Sequence, residues 1–262
     1  MKKNILVFKH MTSQNPGIFR DFADIQNVRF HEIDLHAGDK IPNLEIFDGL
    51  WVMGGSMNVW EEEEFPWLIA EKEAIRHALE DLNMPFLGIC LGHQLLAVAM
   101  GGKAVNTGRY EVGLFEIEPT QAGLNHPLLH NLKDSEKWVN AHLVEVIEPP
   151  KNSVILATSK ACQNHIMQVG ENAYSCQFHP EVCSHTLDGW MKIPGVPNFF
   201  EELSVNGLKH LTSTITENLE VNNKASFTLF KNWCNLVFDL INLLFYALDI
   251  LLLHCTRINV KI

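Results

Sequence analysis

Three short runs of almost unbroken apolar residues, Ile5 to Phe8, Leu50 to Met53 and Phe86 to Ile89, constrain this chain more than any other feature. Strands without polar alternation must bury both faces, and a parallel sheet covered by helices on each side does this. Between the second and third runs, Trp67, Leu68, Ile75, Ala78, Leu79 and Leu82 recur at helical intervals. Pro66 stands near the start of that helix, where its missing N–H costs little. Val28 to Ile33 is more mixed and reads as a less buried strand. The expected fold is α/β, a doubly wound and mostly parallel sheet.

From Lys103 to Phe178 the rhythm shortens. Val112 to Ile117, Val154 to Ala157, His165 to Val169 and Ala173 to Phe178 are strand-like, with turns at Gly123, Pro149-Pro150 and Gly170-Glu171-Asn172. Such stretches suit antiparallel additions at the sheet edge. Past Pro197 the chain becomes helical again. The organisation expected is one domain over 1–237 and an apolar helical extension over 238–262.

That extension invites a membrane reading, since Leu, Ile, Phe and Val dominate Asn235 to Cys255. Asp239 and Asp249 oppose it, because each would cost roughly 2.5–3.5 kcal/mol near a bilayer centre against about 0.3–0.6 gained per large apolar residue. A helix docking onto the domain, or onto a second copy in a homo-oligomer, is the expectation.

Composition narrows the partners. The 262 residues are 47% hydrophobic and 19% charged, enough to bury a large core. A formal net charge of -11 without clustered Lys or Arg excludes a nucleic-acid surface. A small molecule or a protein is expected instead. The N-terminal apolar run stops at Lys9, short of the roughly 7–15 residues of a signal core, so a cytoplasmic protein is expected. The six cysteines then read as reduced thiols. Cys162 and His165 stand three apart, but no further zinc ligands are placed near them, and no metal or cofactor is expected. The run Glu61 to Glu64 sets negative charge before a helix start, where it is favourable.

The residues suited to chemistry lie where apolar runs end. Gly88-Ile89-Cys90-Leu91-Gly92 places Cys90 at a strand-to-helix turn, with flanking glycines that leave room beside an exposed nucleophile. The following helix points its positive end at the sulfur. A lone cysteine there is as readily a small core residue. The balance turns on a second strand, which delivers His179-Pro180-Glu181 at its end: an imidazole to take the thiol proton and a carboxylate to orient it. His126-Pro127 lacks the carboxylate and reads as a loop before a short helix. Gly54 and Gly55, after the second apolar run, can present a bare backbone N–H to an oxyanion, with the Leu91 N–H as second donor.

Gly88-Ile89-Cys90-Leu91-Gly92-His93-Gln94 together with Gln177-Phe178-His179-Pro180-Glu181 resembles the triad-type, class I glutamine amidotransferase family. The likeness spans about residues 1 to 237 and is greatest to free-standing members similar to the glutaminase domain of GMP synthase. The resemblance implies a flavodoxin-like sheet, a γ-glutamyl thioester on Cys90, and His179 as base and acid oriented by Glu181. It further implies Gly55 and Leu91 as oxyanion donors, and Gly54 and Gln94 at the substrate. Ammonia would pass to a synthase partner, since no P-loop or acceptor domain is present. One departure stands out. In Asn140-Ala141-His142-Leu143-Val144, Leu143 and Val144 replace the glycine and its follower that the family commonly uses to receive glutamine. Three functions therefore stay open: an ammonia-supplying glutaminase, a stand-alone γ-glutamyl hydrolase, and a non-catalytic binding protein on the same fold.

Overall fold

A computed structural model describes residues 1–133 and 135–238. Its strands form one nine-stranded sheet in the order β2-β1-β3-β4-β9-β8-β7-β5-β6. The parallel half comprises β1 (Lys3–Lys9), β2 (Val28–Asp34), β3 (Gly49–Val52), β4 (Phe86–Ile89) and β9 (Ala173–Cys176). The antiparallel half adds β8 (Ile166–Val169), β7 (Ser153–Thr158), β5 (Lys103–Pro119) and β6 (Glu136–Glu148). This is the mixed α/β, flavodoxin-like arrangement that the apolar runs and the shorter later strands call for. The run expected at Ala173 to Phe178 ends as a strand at Cys176, and the segment around Asn140 is part of a long strand, β6, that the sequence pattern did not mark.

The unbroken apolar runs are explained by two cores. Ile5, Val7, Trp51 and Met53 face one layer, while Leu6, Phe8, Leu50 and Val52 face the other. The first layer is covered by α1 (Phe19–Ala23) and α6 (Gly207–Phe238), whose Phe230 and Trp233 lie edge-on to Trp51 at 5.5 and 5.3 Å. The Trp233 indole N–H also donates to the Phe86 carbonyl at 3.2 Å. The second layer is covered by α2 (Trp67–Arg76), which ends in a π turn at His77–Asp81, and by α3 (Leu91–Ala99). Glu62, from the acidic run before α2, pairs with Lys72 of that helix.

A third cluster joins α4 (Ser184–Trp190) and α5 (Val196–Leu203) to α6 through Trp190, Phe200, Leu211 and Ile215. The helix α6 runs on to Phe238, the last described residue, so the extension expected at 238–262 lies, beyond that residue, outside the described residues. Among the described residues no helix is long and apolar enough to cross a membrane.

Candidate active site

Cys90 follows the last residue of β4 and precedes the first of α3, at φ 51° and ψ −101°, a left-handed conformation that costs a non-glycine residue on the order of 1–3 kcal/mol. The turn is held by the Cys90 N–H, which donates to the Cys176 carbonyl at 2.8 Å. It is also held by absence of side chains. A Cβ on Gly88 would lie 2.5 Å from the Gly92 carbonyl oxygen, and one on Gly92 would lie 2.0 Å from that of Val52. The two glycines allow strand, turn and helix to close on one another.

Because β9 is the parallel neighbour of β4, the chain leaving Cys176 runs alongside Cys90. His179 arrives there with its N–H donated to the Val139 carbonyl at 2.8 Å and its ring edge-on to Trp190 at 4.9 Å. Glu181 is fully buried, and its Oε1 lies 2.7 Å from His179 Nδ1. The loop carrying both is fixed from two sides. The Ser226 hydroxyl of α6 donates to the Pro180 carbonyl at 2.6 Å, and the Ile18 N–H donates to the Glu181 carbonyl at 3.0 Å. Gly17 makes the second contact possible, since a Cβ there would meet that same oxygen at 2.0 Å.

Burial pushes the His179 imidazole towards neutrality, but the Glu181 carboxylate and the hydrogen-bonded Cys90 outweigh it and raise the ring to about 10. The imidazolium is therefore the favoured form beside the sulfur.

Cys90, His179, Gly55 and Gln94 line one cleft of about 360 Å³. Gln94 is buried there, donating through Nε2 to the Val144 carbonyl at 3.1 Å and to Gln177 Oε1 at 3.3 Å. Gln177 in turn points its Nε2 at Cys90 Sγ, 3.7 Å away. Leu91 and Gly55 meet at the cleft's edge, where a Cβ on Gly55 would fall 2.7 Å from Leu91 Cδ2. A Cβ on Gly54 would be 3.1 Å from His179 Cε1 and 2.9 Å from Gln14 Oε1. All seven residues expected from sequence thus gather within one neighbourhood.

Others there were not anticipated. Gln14 lines the cleft with a buried Oε1 that has no partner among the described residues. Ile193, Val196 and Phe199, from α5 and the loop before it, form an apolar wall. Of these only Phe199 lies in the stretch past Pro197 that reads as helical in sequence.

Among the described residues one group has metal-ligand side chains: Glu111, His142 and His165, whose ligand atoms lie within 4.8 Å of one another. Glu111 Oε2 accepts from His142 Nε2 at 3.2 Å and from His165 Nε2 at 2.8 Å, while Oε1 accepts from the Ser159 hydroxyl at 2.7 Å. Burial opposes ionisation of Glu111, but these donors hold its carboxyl well below the usual range. Metal-bound imidazoles need an acceptor for their second N–H, and neither Nδ1 has a partner among the described residues. The set therefore fits a hydrogen-bonded network joining β5, β6 and the residue before β8 better than a metal centre. Cys162 stands outside it, its thiol pushed up to about 12 by burial.

Fold and site together define a doubly wound α/β protein whose cleft is built around a Cys–His–Glu set at the carboxyl end of a parallel sheet. The sequence pattern of the family described as glutamine amidotransferase class-I matches residues 13–191, and the chain belongs to that family. It is similar to the glutamine amidotransferase-like protein YfeJ of Salmonella typhimurium, 29% identical over 184 residues, covering 69% of this chain and 76% of that one. It is also similar to one of the subunits of the glutamine-hydrolyzing GMP synthase of Sulfolobus acidocaldarius, 30% identical over 167 residues, with 63% and 84% covered. A glutamine amidotransferase of Thermotoga maritima shares the fold with a TM-score of 0.79 at 24% identity, over 89% of this chain and 99% of that one.

Proposed function

We propose that this protein is a cytoplasmic cysteine hydrolase of γ-glutamyl amides, and that glutamine is its simplest substrate. The observation that carries this reading is the buried Cys90, His179 and Glu181 set opening onto a cleft beside Gly55 and Leu91. Cys90 sulfur, having passed its proton to His179, attacks the γ-carbonyl carbon. The oxyanion is received by the Gly55 and Leu91 N–H groups. His179 returns the proton to the departing nitrogen, leaving a γ-glutamyl thioester and free ammonia or amine. Water, deprotonated by His179, then cleaves the thioester to glutamate and regenerates the thiol. Glu181 keeps the imidazole oriented throughout. Gln94 and Gln177 fix the wall beside the sulfur, and Gly54 leaves room for the substrate next to His179.

Membership of the class-I family, together with the likeness to part of a glutamine-hydrolyzing GMP synthase, supports transfer of the ammonia to a synthase partner. A second reading, hydrolysis of larger γ-glutamyl amides without a partner, is favoured by the cleft's walls: Met57, Leu143, Val144, Ile193 and Phe199 are apolar, and no Lys, Arg, Asp or Glu lines the cleft among the described residues.

The test is alkylation by a glutamine-like electrophile, read by mass spectrometry with Cys90→Ala as control. Selective labelling of Cys90 that glutamine or a γ-glutamyl amide prevents is expected. Folded protein left unlabelled at Cys90 overturns the proposal.

A further inference from the structure

His10, just past the end of β1, is 1% exposed although it carries two polar nitrogens. Nδ1 lies 2.9 Å from the Gly54 carbonyl oxygen and Nε2 lies 2.8 Å from Glu71 Oε1. A carbonyl can only accept, so Nδ1 must carry a proton and donate it. Glu71 is completely buried on α2, and Trp67, one turn earlier on the same helix, stacks on the His10 ring at 5.3 Å and 11°. The imidazole is thus clamped between an aromatic face and a carboxylate, both on one helix, with Nδ1 turned to the Gly54 carbonyl and near that of Met53.

The consequence follows from the planarity of the peptide bond. No peptide in the described residues is cis, so the Gly55 N–H points opposite to the Gly54 carbonyl. Gly55 sits between His10 and Leu91, since a Cβ on it would fall 3.0 Å from His10 Cβ and 2.7 Å from Leu91 Cδ2. It lines the cleft with Cys90, and its N–H has no protein acceptor among the described residues. A glycine pair is otherwise free to rotate this peptide and turn the N–H away. We infer that His10, held by Glu71, is a positioning residue that locks the Gly54–Gly55 peptide with the Gly55 N–H presented to the cleft as an oxyanion donor. Burial opposes charge on His10, but Glu71 and the Gly54 and Met53 carbonyls raise it above its ordinary value, which keeps the donor in place.

The inference rests on the proposed hydrolysis, so turnover of a γ-glutamyl amide by the parent protein is measured first. His10→Leu keeps the bulk and removes the donor, whereas His10→Asn restores an N–H close to the position of Nδ1. In His10→Leu, kcat should fall about 100- to 1,000-fold with KM within about threefold, as for loss of one oxyanion donor. Alkylation of Cys90 by iodoacetamide, which forms no oxyanion, should stay within about twofold of parent, and His10→Asn should regain most of kcat. His10→Ala serves where the leucine variant does not fold. Parental kcat in the leucine or alanine variant, a parallel loss of iodoacetamide reactivity, or failure of His10→Asn to recover overturns the inference alone. A folded parent without turnover overturns the proposed function and this inference with it.

Discussion

His179 Nδ1 and Glu181 Oε1 lie 2.7 Å apart although only Pro180 separates the two residues in the chain. Residues two apart share one face of an extended chain but stand about 6.6 Å apart along it. Here the Ser226 contact to the Pro180 carbonyl and the Ile18 contact to the Glu181 carbonyl bend the loop so that both side chains converge. In Glu181→Gln the carboxylate that does most to raise His179 is gone, and an amide N–H can favour the wrong tautomer. We expect kcat to fall about 1,000- to 10,000-fold with a small change in KM. The alkaline limb of the rate profile, set by deprotonation of His179 near 10, should move to lower pH. Steady-state rates from pH 6 to 11 read both effects, and an unmoved limb would show that Glu181 does not govern the ring.

The glycines of the turn separate stability from activity. Gly92→Ala drives a Cβ into the Val52 backbone at 2.0 Å, which only movement of α3 against β3 can relieve. A loss of about 3 kcal/mol, or roughly 6–12 °C in Tm, is expected. Gly54→Ala meets instead the end of the Gln14 side chain at 2.9 Å and the His179 ring at 3.1 Å. The amide can swing aside and the imidazole cannot do so without leaving Cys90. Thermal melts beside rate measurements should therefore find Gly54→Ala nearly as stable as parent but far less active.

These residues were legible in the sequence because each stands at the end of an apolar run, where a parallel sheet presents its carboxyl edge. β6 was not, because Glu136, Asn140, His142 and Glu145 are among its buried residues and break the apolar pattern that marks a strand. Two of those polar side chains pair with residues distant in sequence, His142 with Glu111 and Glu145 with Arg109. The His10–Glu71 pair was hidden for the same reason, since each residue looks like an ordinary surface group until the fold brings them together across 61 positions. Periodicity reports which faces are apolar, and it is silent on polar groups buried in pairs.

The buried imidazole of His93 makes the protein sensitive to acid. Burial, reinforced by His165 and His142, pushes His93 down to about 3, while its nitrogen Nδ1 faces the Ser175 hydroxyl at 2.8 Å. Its folded value lies below the unfolded 6.5, so the unfolded chain binds more protons between those limits. Stability is then fully present above about pH 6.5 and is lost as pH falls through the window, by about 1 kcal/mol per pH unit. Below about pH 4.5 the depressed Glu111 carboxyl acts in the same direction. Urea midpoints between pH 7 and 4 should fall steeply in the parent and less steeply in His93→Gln. Equal slopes in the two proteins would place the acid sensitivity elsewhere.

The cleft's apolar wall bears on which amide is cleaved. The γ-glutamyl part is common to glutamine and to its N-substituted amides, so any preference between them arises where the amine side lies. Ile193, Val196 and Phe199 offer that side no hydrogen bond from their side chains, and ammonia leaves most of their surface in water. A benzyl group burying about 80 Å² against them would gain about 2 kcal/mol, or roughly 30-fold. We therefore expect kcat/KM for γ-glutamyl benzylamide to exceed that for glutamine, and Phe199→Ala to reduce the first while leaving the second nearly unchanged. If glutamine is the better substrate and Phe199→Ala weakens both alike, the wall faces the glutamyl end, and the ammonia-supplying role is the stronger of the two readings.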